Sequence, residues 1–169
     1  MGFLDEAIAK LSSTPQHVEE LTKGLSDPQL SWRADPEVFS LRENVLHLRD
    51  IDVEGYEKRI RLILTEDNPV LPDVNGRKLA QERDYNAQPL QPALDDLRRS
   101  RAASMESLKG CSVEDLQRQA QMQGVGVIGL RRLLELWIEH DAQHIADMAE
   151  IRRAIETGQG PRFVQHQAA

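Results

Sequence analysis

Three histidines carry the chemistry that this sequence offers. His140 and His144 lie in Trp137-Ile138-Glu139-His140-Asp141-Ala142-Gln143-His144. Four residues apart on a helix, they stand one above the other on a single face, so both imidazoles can reach one metal ion. They also fall within an apolar stripe, Leu130, Leu133, Leu134, Trp137, Met148, Ile151 and Ile155, where a helix turns leucine toward its core. Buried polar rings require partners. A third histidine, His47, shares an inward or nearly inward face with Ile51 on another predicted helix. Pairs at this spacing also sit half-exposed on helices and bind nothing. Both readings stay open on spacing alone.

Three neutral imidazoles would hold one divalent transition metal and leave at least one coordination position open, the arrangement of a catalytic rather than a closed structural site. Zinc, nickel, iron or copper suit such a set, with zinc, nickel or iron the expected ions. Asp141 follows His140 where the metalloprotease pattern would place glutamate, so that chemistry is not expected. Asp50, one turn beyond His47, and Asp141 could each accept a hydrogen bond from a ligand's second ring nitrogen. Surface ion pairing is the competing reading, at least as good for Asp141. Glu43 and Glu139 could be proposed as general bases, although both read as helix-surface residues. No catalytic residue is assigned. His17 and His166 are expected to face solvent.

The elements that must position these residues are helical. Leu, Ala, Glu, Arg and Gln dominate, aromatic residues make up 4% of the 169, and β-branched alternation is nearly absent. An all-α four-helix bundle with long crossover connections follows. The first amphipathic segment runs from Phe3 to Leu25, either kinked or divided at Pro15, where Thr14-Pro15 looks like a helix start. Ser40-Leu41-Arg42-Glu43 is a capping-box pattern opening a second helix that ends near Glu66. The connection from Asp67 to Pro92 carries one short helix around residues 77–84. A third helix is marked by Leu90 to Leu108. Ser112 to Asp115 starts a minor helix, glycines 124, 126 and 129 punctuate the approach to the fourth long helix, and that helix stops at Gly158. Residues 1–158 are expected to form one domain, followed by a loosely ordered tail, 159–169. Arg98, Arg99 and Arg101 read as a solvated helix face. Trp32 and Tyr85 read as packing anchors or as walls of a substrate pocket.

A net charge of -7 without clustered Lys or Arg argues against nucleic acid as a partner. No apolar run approaches the roughly 20 residues that span a bilayer. The opening, Met1 to Glu6, is acidic where a secretory signal is basic. The lone Cys111 fits a reducing compartment and reads as a small buried hydrophobe rather than a nucleophile. Cytoplasmic residence is expected.

Ser40-Leu41-Arg42-Glu43-Asn44-Val45-Leu46-His47-Leu48-Arg49-Asp50 resembles the second-helix motif of the DinB-like (DinB/YfiT-like) family, and His140-Asp141-Ala142-Gln143-His144 resembles its fourth-helix motif. Stretches at 71–76 and 80–85 look like a subgroup of that family. The likeness covers about residues 3–155. It implies a four-helix bundle with a divalent metal held by His47, His140 and His144, and association as a homodimer. It also implies transfer of a low-molecular-weight thiol to an electrophile; hydrolysis by a water that the same metal would acidify is the alternative enzyme reading, and a non-catalytic metal-binding or interaction bundle the competing class. Asp147 departs from the family's commoner glutamine.

Overall fold

A computed structural model describes residues 2–162; the expected exposure of His166 and most of the expected tail lie outside the described residues. Four long helical rods dominate. The first, α1 (Phe3–Thr22), is followed by one turn, α2 (Asp27–Leu30). The second rod comprises α3 (Leu41–Asp50), a wider π-turn segment (Ile51–Tyr56) and α4 (Glu57–Thr65). After β1 (Val70–Leu71) and the short α5 (Gly76–Glu82) comes the third rod, α6 (Leu90–Lys109). A hairpin, β2 (Gln119–Met122) and β3 (Gly126–Gly129), leads into the fourth, α7 (Leu130–Thr157). No helix among the described residues is long and apolar enough to cross a membrane.

Rods α1 and α3 each pack against both α6 and α7, whereas α1 meets α3 only weakly and α6 barely meets α7. The circuit around the bundle is therefore α1, α6, α3, α7. Successive rods lie across the diagonal at the first and third connections, so a simple up-down-up-down order is excluded. The second connection, although long, joins neighbours.

Two expectations need correction. Pro15 does not divide α1, which runs unbroken through it. Its missing N–H leaves the carbonyl of Leu11, four residues back, without a helical partner, and that oxygen accepts a hydrogen bond from Arg101 Nη1 at 2.7 Å. Thr14 is consequently no cap: it is buried and donates to Asp141 Oδ2 at 2.7 Å. The glycine-punctuated approach to α7 forms a hairpin that no expectation covered, part of a three-stranded sheet, ordered β1-β2-β3, with β1 parallel and β3 antiparallel to β2. The minor helix that starts at Ser112 to Asp115 is a single 3-10 turn at Asp115–Gln117, which Ser112 and Asp115 brace through mutual hydrogen bonds.

The core is built in two apolar halves. One gathers Leu11, Ile51, Tyr56, Met105, Leu134 and Trp137; the other gathers Val18, Leu46, Leu48, Leu97, Met148 and Ile151. Between them each rod turns polar residues inward: Thr14 from α1, His47 and Asp52 from the second rod, Arg101 from α6, and His140, Asp141 and His144 from α7. That polar layer is the candidate site.

Candidate metal centre

Second-rod geometry begins at its cap. Ser40 Oγ accepts from the Glu43 amide at 3.1 Å, and a Glu43 carboxylate oxygen accepts from the Ser40 amide at 2.8 Å, closing the predicted box. Arg33 forks onto the same carboxylate. Glu43 is thereby fully engaged, and the base role considered for it has no free oxygen behind it. Glu139, the other candidate base, is exposed and paired with Arg132.

Two turns beyond the cap, His47 is 8% exposed, with the Phe39 ring 5.3 Å from its own. Across the bundle, the His140 and His144 rings are 4.5 Å apart, and each lies within 5.3 Å of the His47 ring. One ring nitrogen from each of His47, His140 and His144 falls within 4.8 Å of the others. His47 Nε2 and His140 Nε2 stand 3.1 Å apart, close to the roughly 3.3 Å between nitrogens in a tetrahedral site with zinc-nitrogen distances near 2.0–2.1 Å. The structure thus brings together all three histidines singled out in the sequence. His17, as expected, is exposed.

Each ring's second nitrogen has its own surroundings. His144 Nδ1 lies 2.7 Å from Asn44 Oδ1, and the Asn44 amide nitrogen donates to the Ser40 carbonyl at 2.9 Å, which orients the side-chain oxygen toward the ring. The proton is therefore on Nδ1, leaving the Nε2 lone pair for a metal. His140 Nδ1 faces Asp141 Oδ1 at 3.6 Å, and both atoms are buried without another partner. His47 Nδ1 is buried and unpartnered, pressed against Gly76 at the start of α5. Asp50, the partner expected for His47, turns instead to the segment after α5. It accepts from Tyr85 Oη at 2.6 Å and pairs with Arg83 at 2.7 Å and Arg49 at 2.6 Å. Three donors there outcompete one imidazole.

Asp141 does not pair at the surface; it is 3% exposed and lies 2.6 Å from Arg101 Nη1. Arg101 itself corrects the solvated-face reading of its cluster. Arg98 and Arg99 are exposed, but Arg101 is 1% exposed, forked onto Asp52 at 2.8 and 2.9 Å. Trp137 donates to Asp52 at 3.1 Å and offers its ring face to the guanidinium at 4.6 Å. Burial pushes the Asp52 carboxyl up to about 6, against the pull of Arg101. Burial acts the same way on Asp141, but His140 and Arg101 outweigh it and hold that carboxyl below its ordinary value. Asn44, Asp52 and Arg101 were not recognised in the sequence. The available signal was position: Asn44 is one turn before His47, and Arg101 continues the Leu94-Leu97 stripe toward Leu108.

The remaining candidates fall away from the site. Tyr85 is a buried anchor on Asp50. Trp32 is 39% exposed and borders a cleft of about 380 Å³ with Pro28 and Ile155, which contains none of the three histidines. Cys111 is half-buried, and burial raises its thiol, opposing reactivity. Asp147 accepts from Gln143 at 2.9 Å.

The imidazoles suit a cation. Burial, then the neighbouring histidines, hold His47 well below its ordinary value; burial and His140 bring His144 to about 3. Both rings are thus neutral at physiological pH, the form in which imidazole binds metal. A four-helix bundle with three inward histidines from two facing rods defines a class of bundle proteins with a candidate metal centre.

Comparison with known proteins agrees. The model of the DinB superfamily matches residues 10–148, and the chain belongs to that family. A protein of Halalkalibacterium halodurans, provisionally named a metal-dependent hydrolase, is 25% identical over 143 residues, covering 85% of this chain and 82% of the relative. A Geobacillus kaustophilus protein of the same provisional name is 27% identical over 156 residues, covering 90% and 85%. YfiT from Bacillus subtilis, described as a probable metal-dependent hydrolase with an unusual four-helix bundle topology, shares the fold with a TM-score of 0.84 at 21% identity, covering 90% of this chain and 87% of that one.

Proposed function

We propose that His47, His140 and His144 hold one divalent transition metal, zinc, nickel or iron, and that the protein is a metal-dependent enzyme transferring a low-molecular-weight thiol to an electrophile. The convergence of one ring nitrogen from each of three histidines, His47 buried and His140 and His144 half-buried, carries this reading. When bound, the metal supplies positive charge that stabilises a thiolate near neutral pH. Asn44 fixes the tautomer of His144, Asp141 faces the outward nitrogen of His140, and Phe39 shields the His47 ring from water.

The carboxylates beside the cluster favour a thiol over water. Asp141 Oδ2 is taken by Thr14 and Arg101, its Oδ1 is buried and faces His140 Nδ1, and Glu43 is held by its cap and Arg33. A nucleophile that sheds its proton without a carboxylate base fits best. A bound metal would bring water from 15.7 to about 7, whereas a thiol near 8.5 reaches its anion with a smaller shift. Hydrolysis is the second reading, favoured by the provisional names of the relatives. Homodimer formation belongs to the same proposal and is tested by sedimentation.

The experiment is a panel of small thiols with an electrophile beside a panel of esters and amides, each with and without chelator. Thiol-dependent turnover that chelator abolishes and added metal restores supports transfer. Chelator-sensitive ester or amide cleavage supports hydrolysis. Rates indifferent to chelator in both panels refute a metal-dependent enzyme and leave a non-catalytic bundle.

A further inference from the structure

Arg101 sits in the apolar stripe of α6, where an unsatisfied guanidinium would cost several kcal/mol. Here it makes four hydrogen bonds, two to Asp52, one to Asp141 and one to the Leu11 carbonyl that Pro15 leaves free. Trp137 completes Asp52, and Thr14 completes Asp141 Oδ2. Among the described residues, one polar atom of the network remains without a partner, Asp141 Oδ1. It faces the equally unpartnered His140 Nδ1 at 3.6 Å. The charges leave the same remainder: one guanidinium against two buried carboxylates leaves one negative charge uncompensated. Its single open direction is toward His140, and through that ring toward the three-histidine cluster.

We propose that Arg101 and Asp52 are positioning residues for the metal centre, holding Asp141 so that its free oxygen orients and polarises His140. This rests on the metal reading above. Asp52 fixes one edge of the guanidinium and the Leu11 carbonyl takes one N–H of Nη1, so the second N–H of Nη1 is directed at Asp141 Oδ2. With Oδ2 fixed, Oδ1 has one place to point. The π-turn segment bears Asp52, and such segments often mark functional sites in helices.

The test is zinc affinity by competition with a chromophoric chelator, together with the visible spectrum of the cobalt-loaded protein and circular dichroism of the metal-free protein. Wild type should bind one zinc per chain. Asp141→Asn removes the negative charge facing His140 Nδ1 and should weaken binding about 10–100-fold, the usual scale when the group behind a metal ligand is changed. Arg101→Lys keeps the charge but loses the fork, and should weaken binding about tenfold. In the Asp141→Asn background, Arg101→Lys should change affinity less than about twofold, and both single variants should shift the cobalt spectrum alike. A full effect persisting in the double variant, or no effect of Arg101→Lys alone, overturns the proposal. Should Arg101→Lys fail to fold, Asp52→Asn takes its place with the same two outcomes. Wild type that binds no zinc, or zinc retained by His144→Ala, refutes the metal reading itself. Zinc-binding wild type with additive variants refutes this inference alone.

Discussion

Gly76→Ala is a small change with a large expected effect. A Cβ at Gly76 would lie 2.3 Å from His47 Cε1 and 2.6 Å from Nδ1, whereas ordinary contact begins near 3.4 Å. The imidazole must therefore retreat by roughly 1 Å, or α5 must lift by the same amount. The ring is buried against Phe39, and Ile51 closes in on the Gly76 position as well. Overpacking of this kind costs about 1–3 kcal/mol, which for a chain of this length lowers Tm by roughly 2–12 °C. The consequence for metal is steeper. Ligand distances in a metal site are held to about 0.2 Å, so a displacement near 1 Å removes His47 from the set. Zinc affinity should fall by at least about a hundredfold, more than a lost hydrogen-bond partner costs. Chelator competition measures the affinity, and thermal melting of the metal-free protein measures the packing cost. Unchanged affinity in a folded Gly76→Ala protein would refute the argument that α5 sets the position of His47.

Two further predictions concern the same rings. In metal-free protein, His47 and His144 are neutral when folded and take up protons when unfolded. Stability is therefore fully present above pH 6.5 and is lost as pH falls from 6.5 toward about 3 for His144, by roughly 1.4 kcal/mol per pH unit per ring. Asp52 opposes this, since a carboxyl raised from 3.8 to about 6 contributes stability below 3.8 that disappears as pH rises to about 6. Two rings outweigh one carboxyl, so the urea midpoint should drop between pH 7 and 5, and His144→Gln should reduce that drop; a flat profile would contradict the buried-neutral assignment. Asn44→Leu removes the acceptor that fixes the His144 tautomer, and chelator competition should show zinc affinity about 10–100-fold weaker; wild-type affinity would show that Asn44 does not orient the ring.

Local signals in the sequence predicted local structure well. Ser40 and Glu43 announced the start of the second rod, Gly158 its counterpart at the end of α7, and the i, i+4 pair placed His140 and His144 on one face. What escaped depends on partners distant in the chain. Arg101 lies beside two exposed arginines, and only the carboxylates of Asp52 and Asp141 explain its burial. Pro15 looked like a break because the acceptor it leaves free finds its donor on another rod. The sheet was missed because β1 is two residues long and β2, Gln119–Met122, carries no β-branched residue, so its pairing is set by backbone hydrogen bonds rather than by pattern. The wider turn after His47 has no sequence mark beyond Gly55, yet it places Asp52 in the polar layer.

The most direct measurement is elemental analysis of protein purified without chelator, for wild type and for His47→Ala, His140→Ala and His144→Ala. One divalent transition metal per wild-type chain, lost to a similar degree in each variant, is the predicted result. Wild type without metal, or metal retained when any one of the three is removed, would contradict a three-histidine centre.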